Sequence, residues 1–240
     1  MDIKEKHLLG LKQRIDFEHY KNTYRKEIQK SIDFIGQDLE FFTQVKAENL
    51  IKLASRRLGN LSKLKILDVG CGIGLTDYYL IPHFKKIHGV DLSRGVVHKA
   101  ALLNPKASYK AYPGKILPYP TGSMDITFAV CVMHHVAFEE QNRFVSEMVR
   151  VTRKNGLIVI FDHNPLNPLT RYAVSRCELD EDAVLLRGEK VKKLLRYAGT
   201  RILEKKYILF TPYRGKFFAL LEILLSWVPL GAQYFVAGRK

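Results

Sequence analysis

Short apolar runs alternate with amphipathic stretches through the middle of this chain. Leu64, Ile66, Leu67 and Val69 form the first such run, and Lys86 to Val90 the second. A weaker one lies near Ser108 to Tyr112, and strong ones at Asp125 to Val132 and Leu157 to Phe161. Between them, Leu75 to Ile81, Ser93 to Leu103 and Glu139 to Val151 carry apolar residues at helical spacing. Strands that are apolar throughout, separated by helices, predict a mostly parallel sheet buried on both faces. Later in the chain Glu189 to Tyr197 reads as a helix, Ile202 to Phe210 as a strand, Lys216 to Val228 as an apolar helix and Gln233 to Ala237 as a final strand. The expected fold is α/β and Rossmann-like: a seven-stranded sheet, helices on both faces, and the last strand antiparallel. Residues 1–62 read as helical and amphipathic, with Gly59-Asn60 as a stop signal. They are expected to form a lid over a domain spanning 63–240. After Asp162 the apolar pattern loosens, so 163–188 reads as an inserted loop stiffened by two Asn-Pro steps.

The first strand runs into Gly70-Cys71-Gly72-Ile73-Gly74, which opens a helix. Glycines there let backbone approach a ligand closely. The second strand ends at Asp91, whose carboxylate suits the two hydroxyls of a ribose. A dinucleotide site is disfavoured, because position 75 is Leu where that fingerprint wants its third glycine. Asp68, just before the loop, suits a cationic ligand better than a pyrophosphate.

Leu67 to Gly74 resembles the first motif of class I S-adenosylmethionine (SAM) methyltransferases. Leu117 to Asp125 resembles the segment leading into that family's fourth strand, and Val130 to Val136 the end of that strand. The resemblance covers about residues 64–162 and points to the small-molecule subgroup. It implies SAM as cofactor. Gly70, Gly72, Gly74, Cys71 and Asp68 are then expected around the methionine moiety, Asp91 on the ribose and Leu92 on the adenine. Cys131 and His134 are expected beneath the sulfonium. Family members often carry an acid a few residues before the "LPF" segment, and here that place is Pro113-Gly114. Contact to the adenine is therefore expected from main chain alone.

No catalytic motif stands out. His135 and His163, at the ends of the fourth and fifth strands, are the candidate bases, each with a purely structural role as the alternative. The stretch from His163 to Leu186 also resembles, more loosely, methyltransferases of bacterial polysaccharide and glycolipid pathways. On that resemblance His163, Tyr172 and Arg176 face substrate. Tyr20 and Tyr24 are expected to reach the cofactor from the lid, by analogy. Cys71 and Cys177 read as packing residues.

Composition narrows the rest. The chain has 240 residues and a formal charge of +15. From Arg187 to Lys240, 12 Lys and Arg face three Glu, which favours an anionic partner. Three scattered cysteines fit a reducing compartment and no disulfide framework. No metal-ligand spacing is visible, and no metal is expected. Residues 217–231 are the nearest approach to a membrane span, interrupted by Glu222 and Pro229. The helix within them is expected to pack between the last two strands, with membrane contact beside Arg214 and Lys216 as the alternative. The leading reading is methyl transfer to a small-molecule, sugar or lipid-linked acceptor, at oxygen, in a cytoplasmic protein, with peripheral contact to the inner face of the membrane as the alternative. An RNA methyltransferase and a non-catalytic SAM-fold binding protein stand as alternatives.

Overall fold

The computed structural model describes residues 16–240. Its elements run α1 (Tyr24–Ile32), α2 (Leu39–Leu58), β1 (Lys65–Val69), α3 (Leu75–Leu80), β2 (Lys86–Asp91), α4 (Arg94–Leu103), β3 (Ser108–Ala111) and β4 (Met124–Val130). There follow α5 (Gln141–Val151), β5 (Thr152–His163), α6 (Pro168–Ser175), α7 (Gly188–Tyr197), β6 (Arg201–Ile208), α8 (Lys216–Leu225) and β7 (Gln233–Arg239). One seven-stranded sheet has the order β3-β2-β1-β4-β5-β7-β6. The five strands β1 to β5 pair in parallel, whereas β7 is antiparallel to both β5 and β6.

Period-two alternation sends successive side chains to opposite faces. Ile66, Phe128, Val159 and Phe161 pack on one face with Leu50 and Leu53 of α2. Leu67, Val69, Ile158 and Ile160 pack on the other with Met148 of α5 and Leu195 of α7. Every one of these is essentially buried, which is why the strands read as apolar runs and not as alternating ones.

Two sequence expectations change. The helix α2 is no lid. Asp38 caps it by accepting the Phe41 N–H at 2.8 Å, Gly59 at φ 80° ends it, and Ala47, Leu50 and Ala54 between them are fully buried against the sheet. The segment 163–188 is not all loop. Asn167 accepts the Thr170 N–H at 3.0 Å, and Pro168 sits in the first turn, so the second Asn-Pro step starts α6. Residues 1–15 of the expected lid lie outside the described residues.

The apolar helix α8 also departs from expectation. It buries none of its residues, and Phe217, Ile223 and, just beyond it, Trp227 are 66%, 69% and 78% exposed. Its one acid, Glu222, turns inward and accepts the backbone N–H groups of Leu209, Phe210 and Thr211 at 3.0, 2.7 and 3.1 Å. That contact ties the helix to the end of β6 and leaves its apolar face without a partner among the described residues. No described helix is long and apolar enough to cross a membrane.

Candidate active site

A cavity of about 540 Å³ lies at the C-terminal ends of the parallel strands. That is within the usual range of ligand pockets, roughly 300–1,000 Å³. The end of β1 and the glycine loop form one end of it. Gly70 and Cys71 donate their N–H groups to the Val90 carbonyl at 2.8 and 3.0 Å, which pins the loop to β2. Gly70 has φ 82°, and a Cβ there would lie 2.5 Å from the Val132 side chain. Gly72 has φ 53°, and its Cβ would lie 2.9 Å from the Tyr24 hydroxyl. Only glycine serves at either place. Gly74 does different work: it precedes α3 at φ 74°, its carbonyl accepts from Asn104 at 2.8 Å, and it does not line the cavity.

Three carboxylates surround this loop. Asp91 accepts the Gly72 N–H at 3.0 Å and the Ser93 N–H at 3.1 Å, and each oxygen keeps a further lone pair. Burial still pushes its acid up. Asp68 is buried, and its Oδ1 has no hydrogen-bond partner. Burial, then Asp77 and Asp91, raise the Asp68 acid well above the ordinary carboxylate range, and Lys46 opposes them. Asp77 is pushed up to about 7 by burial, against the Tyr109 hydroxyl that donates to it at 2.8 Å. A concentration of buried carboxylates with an unsatisfied oxygen calls for a cationic ligand. SAM, with its ammonium and sulfonium, fits that demand. Tyr112, Pro113 and Gly114 line the cavity beside Leu92, where the sequence offers no acid.

The opposite end is assembled from distant segments. Cys131, at φ 55° beyond β4, lies 3.9 Å from Lys46 Nζ and 3.6 Å from Gln233 Nε2. Burial would raise its thiol, but Lys46 and His163 outweigh burial and bring it to about 7. A 3-10 turn, Met133–His135, presents the two adjacent histidines. His134 Nδ1 bonds to Asp162, and His135 Nδ1 lies 3.0 Å from Asp182. Burial lowers the His134 imidazole, yet the Asp162 and Asp180 carboxylates raise it more. The chain is held here by a 2.8 Å bond from the Val184 N–H to the His134 carbonyl.

The cavity walls thus include Asp68, Gly70, Cys71, Gly72, Asp91, Leu92, Cys131, His135 and His163. His134 is displaced from the place expected for it: it is buried behind His135 and does not line the cavity. Tyr172 and Arg176 are corrected too. On α6 the cavity is lined by Leu169, Thr170, Ala173 and Val174, so the opposite face of the helix carries Tyr172. Tyr172 stacks edge-on to Phe34 at 5.0 Å and takes a 3.1 Å bond from Arg176 instead. Cys71 and Cys177 are buried, with thiols raised by that burial. Sequence reasoning missed Lys46, Gln233 and Glu18. Glu18 accepts the Ser93 hydroxyl at 2.6 Å and the Gly95 N–H at 2.7 Å, latching the N-terminal segment to the start of α4. Lys46 left one signal, a lysine on the apolar side of an otherwise amphipathic helix.

Known proteins share part of this sequence and its fold. The methyltransferase domain family matches residues 67–160. An O-methyltransferase of Aspergillus sclerotiorum is 28% identical over 175 residues, 67% of this chain and 64% of that one. The 2-methyl-6-phytyl-1,4-hydroquinone methyltransferase of Synechocystis is 30% identical over 103 residues, 41% of this chain and 32% of that one. The chain therefore spans less than two thirds of the curated relatives it matches. Magnesium protoporphyrin IX methyltransferase from Synechocystis, solved with bound S-adenosylhomocysteine, superposes with a TM-score of 0.67 at 15% identity over 93% of this chain and 96% of that one. Residues 67–160, with their glycine loop and the acid at the end of β2, thus match the methyltransferase domain family, and the sheet has the fold of the SAM-dependent methyltransferase structures it resembles.

Proposed function

We propose that the protein transfers a methyl group from SAM to an oxygen of a small, apolar or lipid-linked acceptor at a membrane surface. When bound, SAM supplies a methyl group on a sulfonium that is already a good leaving group. The Asp68 carboxylate takes the ammonium, Asp91 the ribose hydroxyls, and Leu92 packs on the adenine. Tyr24 closes over the glycine loop and keeps water away. These residues align the methyl group and exclude solvent, which is most of what a displacement at carbon requires. With SAM held there, the acceptor oxygen would take the methyl group as the C–S bond breaks with its electron pair left on sulfur, and the acceptor's proton would pass to bulk water. His135 marks the wall against which that oxygen sits. Burial lowers the His163 imidazole, and the neighbouring Cys131 raises it more.

The observation that carries the acceptor class is the helix α8. Through Glu222 it is bound to the turn of Leu209, Phe210 and Thr211, which forms cavity wall. Its exposed apolar side is flanked by Arg214 and Lys216. Such a face lies in the interfacial zone of an anionic bilayer, bringing the cavity to a lipid-borne substrate. The Synechocystis relative named for a phytyl hydroquinone supports an apolar acceptor.

The test supplies methyl-labelled SAM with a cell-envelope lipid extract, an aqueous metabolite extract and total RNA in parallel. Label is expected in the lipid fraction, released by treatments that cleave O-methyl groups, and reduced by Phe217→Ser with Trp227→Ser. Label confined to RNA or to the aqueous fraction overturns the acceptor class. An N-methylated product overturns the oxygen assignment.

A further inference from the structure

The histidine pair and the acidic Asp180-Glu181-Asp182 segment are not explained by cofactor binding. We infer that His134, His135 and Asp180 form a site for a divalent transition-metal ion at the acceptor end of the cavity. The Nε2 atoms of both histidines lie 3.3 Å from the same oxygen, Asp180 Oδ1. In a tetrahedral site with bonds of about 2.0–2.1 Å, neighbouring ligand atoms sit about 3.3 Å apart. The buried Nε2 of His134 faces Asp180 Oδ1 as an ion-pair partner, outside hydrogen-bond geometry, and is directed into the cluster.

The outer contacts are those of a ligand set. His134 Nδ1 is held by Asp162 and His135 Nδ1 by Asp182, so each ring is oriented by a carboxylate on its far nitrogen. Metal-binding histidines are oriented in this way, which leaves Nε2 as the ligating atom. Adjacent residues in a strand point apart, but the 3-10 turn Met133–His135 brings both rings to one side, 4.1 Å between centroids. Two imidazoles and one carboxylate suit Zn²⁺, Fe²⁺ or Co²⁺ and not Mg²⁺. Three protein ligands leave at least one coordination position, as in catalytic sites and unlike closed structural ones. His135 and Asp180 line the cavity, so that position faces the acceptor. An ion there binds the acceptor oxygen and increases the acidity of its proton. This role rests on the methyl-transfer reading; the binding of the ion does not.

The chain, stripped with EDTA and dialysed, is titrated with Zn²⁺ alone by calorimetry and with Co²⁺ alone by visible absorption. One ion per chain at micromolar affinity or tighter is expected, with d–d bands and no thiolate charge-transfer band. His135→Ala and Asp180→Asn abolish uptake, and Asp182→Asn weakens it by about 10- to 100-fold. Binding of S-adenosylhomocysteine by the same variants reports that they are folded, and Asp182→Asn, which keeps all three ligands, serves if the others do not fold. Absence of stoichiometric uptake by the wild type overturns the site, leaving the cluster as a network of ion pairs. Equal uptake by wild type and variants, or a thiolate band from Cys131 or Cys177, also overturns it. Zn²⁺ uptake by a wild type that fails to bind S-adenosylhomocysteine upholds the metal site and removes the methyl-transfer reading instead.

Discussion

The two ends of the cavity are built in different ways. The cofactor end comes from one short stretch, Val69 to Gly74, plus the tip of the adjacent strand at Asp91, all parallel-sheet neighbours. The acceptor end draws Lys46 from α2, Cys131 and His135 from beyond β4, Asp180 from the insertion and Gln233 from β7. Local chain geometry makes the first, whereas tertiary packing makes the second. Substitutions at the two ends should therefore fail differently, by strain in one and by altered electrostatics in the other.

The largest effect is expected at Gly70→Ala. The left-handed backbone costs about 1–2 kcal/mol and the clash with Val132 about 1–3 kcal/mol more, seen in thermal unfolding, and binding of S-adenosylhomocysteine by calorimetry is lost. Wild-type stability and affinity in that variant would erase the distinction between the ends.

Next comes the junction. The Cys131 thiol, brought down to about 7, forms thiolate as pH rises through that value. Its alkylation rate, followed by peptide mass spectrometry, should climb through pH 7 and level off above it, with S-adenosylhomocysteine protecting. Lys46→Met moves the midpoint upward. A midpoint near that of an ordinary thiol, about 8.5, contradicts the geometry.

Asp91→Ala should weaken S-adenosylhomocysteine binding by about 1–3 kcal/mol, through loss of charged hydrogen bonds to the ligand. NADH should bind neither form. An unchanged affinity would move the ribose elsewhere.

The smallest effect belongs to Glu18→Ala. The exposed latch is screened by solvent, so cofactor dissociation, measured by stopped flow, should quicken by no more than about threefold. A larger change would make the N-terminal segment a principal determinant of cofactor retention.

This contrast also explains what could be read from the sequence. The strands β1, β2, β4 and β5 were legible because burial on both faces demands unbroken apolar runs. The cofactor loop was legible because its glycines and Asp91 are contiguous or one strand apart. Tyr172 and Arg176 were misassigned because the loop reading of 163–188 hid the helical phase, which turns Thr170 and Ala173 to the cavity instead. Lys46 and Gln233 belong to no local motif: only the packing of α2 and the insertion of β7 between β5 and β6 bring them to Cys131. The helix α8 was read as buried from its composition, but composition does not say whether an apolar face meets protein or something else.

The position of β7 has a consequence for how the chain comes off the ribosome. It is the last of the seven strands to be synthesised, yet it occupies an interior place and pairs with both β5 and β6. Until it emerges, one edge of β5 and all of β6 present unpaired main-chain groups, the kind of edge that recruits other chains. The nascent protein is thus held open one strand in from the edge of its sheet, and closure waits on a single late segment that also delivers Gln233 to the cavity.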